Sequence, residues 1–255
     1  MPSFRTLLPL FLLLPQVARA QRDSLPLLAL ATPNAYGVGW EGPRLFALPS
    51  GWLVTRNPDW EDVLHPYLGD SIGLPAIHRW LDSLGYNPGL LGLDSLYEPD
   101  SIFSTHPDFR ILYLRIGTAE GTVAVRGELP TTDPGPAGLY AFLHGLDTPP
   151  IHHRRPYSRF RVEFVIAPSY GPAATSDWPG WLPKPGAKGT GALGGDRFRI
   201  ILAPSVLRQF KALCDSTPSR PVVMVHHDRL WVFEGVRYLF RGEERWLSAA
   251  RWAPE

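Results

Sequence analysis

The spacing of apolar residues along the chain predicts two main helices among many short strands. The first helix is predicted from Pro75 to Leu84, where apolar residues recur at the i, i+3, i+4, i+7 spacing of one helical face. Proline is favoured in the first turn of a helix and glycine just after its end, where Gly85 stands here. The second helix is predicted from Val206 to Ser216, with Ser205 as its N-cap residue.

The other apolar runs are short and are bounded by glycine and proline, which is typical of strands. The predicted strands cover residues 35–40, 44–48, 51–56, 109–116, 122–129, 138–144, 160–167, 197–203, 221–226, 230–233 and 236–241. Turns are expected at 227–229 and, as a tight hairpin, at 234–235. Strands and helices are segregated, so we predict an α+β fold with a largely antiparallel sheet of about ten short strands.

The chain contains no composition shift that marks a linker between domains. We therefore predict a single α+β domain from residue 21 to residue 255. Within it, residues 21–108 form an N-terminal meander and helical stretch, and residues 109–255 form a strand-rich part.

The first twenty residues have the three parts of a secretory signal peptide. Arg5 supplies a positive start, Leu7–Leu14 an apolar run, and Ala18–Ala20 a small-x-small cleavage site. The apolar run is too short to span a bilayer, and no later segment approaches the ~20 apolar residues that a transmembrane helix needs. We expect cleavage after Ala20, a mature chain without a transmembrane segment, and a secreted or periplasmic location.

Charge and cysteine content argue against nucleic-acid binding and against a disulfide-stabilised fold. The chain has 25 basic and 24 acidic residues, and loss of Arg5 and Arg19 with the leader leaves 23 and 24, a net charge of −1. A nearly neutral chain gives no electrostatic support for nucleic-acid binding. Cys214 is the single cysteine, so no intramolecular disulfide can form. The glycine-rich run 186–191 lacks the order of a phosphate-binding loop, and no cofactor is predicted.

One short motif indicates a candidate nucleophile. Gly69–Gly73 fits the G-x-S-x-G pattern, in which a serine is exposed on a tight strand-to-helix turn. The motif also resembles the first block of the GDSL-type esterases, and this resemblance implies that Ser71 is the nucleophile. This sequence departs from that family in two ways. It has no asparagine that corresponds to the family's oxyanion-hole donor. The family's Asp-x-x-His comes late in the chain, whereas the single Asp-x-x-His here, Asp62 to His65, precedes the serine. The alternative interpretation is a simple turn.

Histidines near predicted strand ends allow a second kind of chemistry. His226 and Asp228 lie at one strand end, and His144 lies at another. Three nitrogen or oxygen donors that converge on one point can hold a metal ion. A metal-assisted hydrolase is therefore one hypothesis, and hydrogen-bonded turn histidines are the alternative.

The long interruption at 168–196 is the strongest candidate for a binding segment, because loops of this length are uncommon in compact domains unless they bind or cover a site. It carries Tyr170, Trp178 and Trp181, whose rings can hold a flat sugar face or a partner side chain. Arg154 and Arg155, in a preceding loop, are candidates for contact with phosphates or carboxylates. We expect a non-catalytic protein that binds an envelope protein or glycan; the alternative is a secreted hydrolase.

Overall fold

The computed structural model describes residues 26–31, 43–59, 62–85, 95–97, 109–116, 119–126, 139–170, 175–217 and 222–240. The predicted signal peptide and the predicted strand at 35–40 lie outside these residues. The described strands form two sheets, of eight and six strands. No helix among these residues has the length and apolar character needed to cross a membrane.

The first sheet contains the strands from the first part of the chain. They are β1 (Leu28–Ala31), β2 (Leu45–Ala47), β3 (Trp52–Arg56), β4 (Tyr67–Ser71), β5 (Ser95–Tyr97), β6 (Phe109–Ile116), β7 (Ala119–Arg126) and β8 (Arg155–Pro156). Their order is β5-β7-β6-β1-β2-β3-β4-β8, and every pair is antiparallel except β5 with β7.

The second sheet follows in the chain. Its strands are β9 (Arg161–Pro168), β10 (Thr175–Asp177), β11 (Thr190–Gly194), β12 (Arg197–Leu202), β13 (Val223–His226) and β14 (Arg229–Leu239). Their order is β10-β13-β14-β9-β12-β11, with only β10 and β13 parallel. The change of sheet therefore falls between residues 156 and 161, whereas the sequence pattern predicts a change of character at residue 109.

Both faces of the first sheet are buried at β1 and β2, which explains why these two strands are apolar at consecutive positions. Leu28 and Leu30 belong to one core cluster, together with Ile77 of helix α1 (Leu74–Ser83) and Phe142 of helix α2 (Leu139–Gly145). Ala29, between those two leucines, belongs to a second cluster shared with the second sheet. Alternate residues of a strand point to opposite faces, so the first sheet is the middle layer between helices and the second sheet.

Aromatic rings fill the junction between the two sheets. The ring of Phe46 on β2 lies 4.6 Å from that of Phe240 and 5.5 Å from that of Tyr157, centroid to centroid. Tyr67 on β4 similarly approaches Tyr238 of β14 at 5.7 Å. Burial raises the pKa of Tyr157 to about 12, although the charge of Arg159 lowers it. Tilted and edge-to-face ring pairs of this kind stabilise beyond the area they bury.

Helix α3 (Val206–Ser216) covers the other end of the second sheet. Val206 and Leu207 are buried, and the ring of Phe210 lies 5.1 Å from both Phe164 and Phe233. Cys214, the single cysteine of the sequence, packs partly buried against the same cluster. The predicted helices at 75–84 and 206–216 are thereby confirmed. The predicted capping role of Ser205 is wrong, because its side chain makes no cap hydrogen bond and its backbone is helical, with φ −57° and ψ −22°.

Two predicted elements differ from the structure. A strand is predicted at 138–144, but residues 139–145 form α2, whose buried Leu139, Phe142 and Leu143 follow helical spacing. The expected hairpin at 234–235 is instead a bulge within the continuous strand β14, where the register shifts between Phe233 and Gly235. A bulge adds one residue to a strand without reversing it.

The predicted α+β fold class also differs from the structure. Among the described residues, strands are far more abundant than helices and form two sheets dominated by antiparallel pairs, so the fold is mostly β and not an even α+β mixture. There are also more strands than the expected ten. Several are too short to show a period in the sequence, including β10 and β11 inside the stretch 168–196.

Candidate functional site

A cleft of about 260 Å³ lies where two hairpins of the second sheet end side by side. The first hairpin joins β11 to β12 through Gly195 and Asp196, and the second joins β13 to β14 through His227 and Asp228. Strands β12 and β14 both pair with β9, which ends at Pro168, so the two turns flank the end of the same strand. The residues that line the cleft are Pro185, Asp196, Phe198, His226, His227, Arg229 and Trp231.

The turns that edge the cleft have left-handed backbone at residues that are not glycine. Asp196 has φ 61°, His227 has φ 49° and Asp228 has φ 57°. Two-residue hairpins require this conformation, and Asn-Gly is the sequence that adopts it most easily. Asp and His tolerate it at a cost. The His227-Asp228 turn therefore places an imidazole at the cleft edge where a less strained turn would place glycine or asparagine.

Aromatic side chains form the floor of the cleft. The rings of Phe198 and Trp231 lie 5.7 Å apart, and Trp178 packs against Trp231 at 6.4 Å in a T-shaped arrangement. Trp178 also contacts the imidazole of His226 at 5.3 Å, and its Nε1 donates a hydrogen bond to the carbonyl of Leu182 at 2.8 Å. These contacts hold the floor and one wall of the cleft in a fixed geometry.

The indole of Trp231 carries a polar group without an acceptor. Its side chain is only 4% exposed, and its Nε1 makes no hydrogen bond with any residue that the structure describes. Buried indole N–H groups usually have a partner, because an unmade hydrogen bond costs about 1–3 kcal/mol. Trp231 lines the cleft, but its Nε1 is closed off from solvent, so an acceptor oxygen of a bound molecule meets the N–H only after a small shift of the indole or of a neighbouring side chain.

The charges around the cleft nearly cancel. The guanidinium of Arg229 forms an ion pair with the carboxylate of Asp196, with 3.7 Å between Nη1 and Oδ2. Burial, the neighbouring His227 and Lys184 all lower the pKa of His226. A neutral imidazole can both donate and accept a hydrogen bond. The cleft therefore combines aromatic surface with the imidazole of His226 and a charge-balanced ion pair.

The aromatic residues predicted for the stretch 168–196 are divided between the core and the surface. Trp178 supports the cleft, and Trp181 packs against Phe164 with ring centroids 5.8 Å apart, so both indoles anchor this stretch to the second sheet. Tyr170 is 92% exposed and directly follows Ser169, whose N–H donates to the carbonyl of Leu230. Residues 171–174 lie outside the described part of the chain.

The structure places Ser71 at the end of β4, exposed, three residues before α1 begins. Gly73, with φ 83°, makes the turn between them. Among the described residues, no histidine forms a hydrogen bond with Ser71, and the hydrogen-bonded pair Asp62–His65 lies beyond the opposite end of β4. That strand alone separates the two by about 13 Å. The role of Ser71 as an esterase nucleophile stays a prediction, because no described histidine is placed to act as its general base.

The residue before this serine has a structural role. Asp70 is buried, and its Oδ2 accepts hydrogen bonds from the backbone N–H groups of His152 at 3.0 Å and His153 at 2.9 Å. The bond from His153 lowers the pKa of Asp70 most strongly; burial opposes it, and the bond from His152 and the charges of both histidines lower the pKa further. Asp70 thereby ties the segment before β8 to β4.

The predicted metal ligands lie in different elements. His144 is on α2, an element of the helical layer, whereas His226 and Asp228 belong to the β13–β14 hairpin. His226 and His227 come together, with ring centroids 4.1 Å apart, because the left-handed turn reorients His227. Within the described ranges, no group of three ligating side chains of the types His, Cys, Asp and Glu is placed to hold a metal ion.

Sequence reasoning identifies the region of the cleft but misses Trp231, Phe198 and Arg229. Trp231 stands between Leu230 and Val232 in an apolar run, so the pattern indicates only a strand position for its indole. Arg154 and Arg155 lie elsewhere: Arg155 is exposed on β8, and Arg154 lines a separate cavity beside the first sheet.

Comparisons with protein-family models, with curated proteins and with solved structures give no match to this chain.

Proposed function

We propose that this chain is an exported, non-catalytic binding protein that holds a sugar ring of an envelope glycan in the cleft between the two hairpins. The observation that carries the proposal is the buried Nε1 of Trp231, which lacks an acceptor among the described residues. A sugar hydroxyl supplies that acceptor once a small shift of the indole exposes the N–H, and the apolar face of the ring packs on Phe198 or on the indole.

The charge balance of the cleft favours a neutral ligand. Arg229 is already paired with Asp196, and the pKa of His226 is lowered by its burial first of all. A neutral imidazole at His226 can both donate and accept a hydrogen bond, as can each sugar hydroxyl. The cleft volume is slightly below the roughly 300–1,000 Å³ of drug-sized sites, which suits one ring unit of a longer polymer.

Exchange of Trp231 for phenylalanine tests this proposal. Trp231→Phe keeps an aromatic floor and removes the N–H donor, so we expect the affinity for a bound disaccharide to fall about tenfold. Removal of a donor without a partner stabilises the fold, whereas the volume lost from a buried indole destabilises it, so we expect the free energy of unfolding to fall by no more than about 1–2 kcal/mol. Calorimetric titration of the purified protein with diacetylchitobiose, cellobiose and maltose, together with thermal unfolding, measures both quantities.

The matched control is Trp181→Phe, which alters an indole of the same stretch outside the cleft. This variant should bind the disaccharide like the wild-type protein. Binding weaker than about 1 mM for all three sugars, or equal affinity of Trp231→Phe and wild-type protein, contradicts the proposal. Preferential binding of benzyl alcohol over every sugar would assign the cleft to aromatic ligands instead.

Export is tested by the N-terminus of the processed protein. If the first twenty residues are removed as a signal peptide, expression of the full chain in a Gram-negative host should yield protein in the periplasmic fraction that begins at Gln21. N-terminal peptide mass spectrometry gives the result directly. An intact Met1 in cytoplasmic protein would contradict export, and replacement of Leu12 and Leu13 by arginine is the control that should block processing.

A further inference from the structure

A second and larger cavity, of about 590 Å³, lies beside the first sheet. It is bounded by the beginning of β2, the end of β3 with the residues that follow it, and the segment after α2. None of its lining residues belongs to the cleft between the hairpins. The two sites are therefore built by different parts of the fold.

The lining of this cavity is strongly basic. It includes Arg44, Arg56 and Arg154, against a single carboxylate from Asp147. Asp147 pairs with Arg44, with 3.2 Å between Oδ1 and Nη1. Arg154 is exposed and forms no ion pair with any described residue. The pair of Arg44 and Asp147 is neutral as a whole, so Arg154 supplies an uncompensated positive charge to the cavity. Its planar guanidinium matches carboxylate and phosphate groups through paired hydrogen bonds.

The cavity lining also contains apolar residues. Leu45 and Leu146 are almost fully buried, and Ile151 is partly buried. The volume lies within the range of sites for small organic ligands and exceeds what a single inorganic anion fills. The lining thus suits a molecule that has an apolar body and an acidic group.

The edge of the cavity is held in place by hydrogen bonds. The Nδ2 of Asn57 donates to the carbonyl of His65 at 3.0 Å, and its Oδ1 accepts from the N–H of Asp59 at 3.1 Å. These bonds fix the chain on either side of Pro58, another lining residue. A site that is already ordered loses less entropy when a ligand binds.

We propose that this cavity binds a small organic anion, whose acidic group contacts Arg154 while its body packs on the apolar lining at Ile151. The acidic group is a phosphate ester or a carboxylate, since both present oxygens that a guanidinium binds in pairs. The inference does not rest on sugar binding at the hairpin cleft, and either site can fail without the other.

Four probes test the ligand chemistry by calorimetric titration of the purified protein. Phenyl phosphate joins an apolar ring to a phosphate ester, and benzoate joins the same ring to a carboxylate. Benzyl alcohol has the ring without a charge, and inorganic phosphate has the charge without a ring. We expect at least one of the two aromatic acids to bind about tenfold more tightly than either single-feature probe. The tighter acid identifies the group. Equal binding of benzyl alcohol, or no binding by either acid, overturns the proposal.

The chain offers a matched pair of variants. Arg154→Gln removes a cavity cation, whereas Arg155→Gln removes the neighbouring exposed cation on β8, which does not line the cavity. We expect Arg154→Gln to weaken binding of the preferred acid about tenfold and to reduce its salt dependence, and Arg155→Gln to leave both unchanged. An equal loss in the two variants would indicate general electrostatic attraction, and no loss in Arg154→Gln would exclude this residue; either result contradicts the assignment.

Discussion

Replacement of Phe46 by alanine will lower the free energy of unfolding by about 3–5 kcal/mol, the usual cost of removing a fully buried phenylalanine ring. Phe46 is 2% exposed and contacts rings from β4, from the segment before the second sheet and from the end of β14. The expected decrease in the melting temperature is roughly 10 °C. Urea unfolding followed by far-UV circular dichroism measures the free energy.

Two further variants serve as controls for the Phe46→Ala measurement. Phe46→Leu keeps most of the apolar volume and should cost clearly less than Phe46→Ala, because the cavity that it leaves is smaller. Leu193→Ala, at an exposed apolar residue of β11, should change stability by no more than about 0.5 kcal/mol. A Phe46→Ala protein as stable as the wild type would contradict the description of an aromatic junction that joins the sheets.

Replacement of Asp70 by asparagine will lower the free energy of unfolding at neutral pH by about 2 kcal/mol. The carboxylate accepts two backbone N–H groups, and hydrogen bonds to a charged acceptor are roughly twice as strong as those to a neutral one. The control is Asp215→Asn, which removes an exposed partner of Lys211 on α3 and should cost no more than about 0.5 kcal/mol.

The difference between wild type and Asp70→Asn will also depend on pH. Because the folded-state pKa of Asp70 lies below its value in the unfolded chain, its stabilisation is complete above the unfolded pKa of about 3.9 and is lost as the pH falls through the folded value. The two stability curves should therefore be parallel from pH 5 to 7 and converge below about pH 4. Curves that stay parallel down to pH 2 would show that the carboxylate is not stabilised by folding.

The sequence predicts an element correctly where its apolar residues recur with a clear helical or strand period. It fails where the same run of residues fits two different structures. Helices α1 and α3 are predictable because their apolar residues follow helical spacing over ten residues or more. Helix α2 has seven residues, and an apolar run of that length also fits a buried strand. Glu234-Gly235 fits both a tight turn and a bulge, and only the partner strand β9 distinguishes them.

The two binding regions are less predictable, because tertiary pairing brings their residues together. Arg154 is a candidate from its loop position, but Arg44 and Arg56 stand about a hundred residues earlier at strand ends, where exposed arginines are ordinary. Asp196 and Arg229 meet only because β12 and β14 both pair with β9. A sequence shows which residues can bind a ligand, whereas sheet order decides which of them converge.

The unbroken course of β14 has a consequence for how the molecule opens. One end of this strand supplies Trp231 to the cleft, and its other end supplies Tyr238 to the aromatic junction, with β9 or β13 hydrogen-bonded along its length. Residues of one strand that share a hydrogen-bonded neighbour tend to open together. We therefore expect the amide hydrogens of Trp231 at the cleft and Tyr238 at the junction to show similar protection in hydrogen exchange, so that opening of the cleft is coupled to separation of the two sheets.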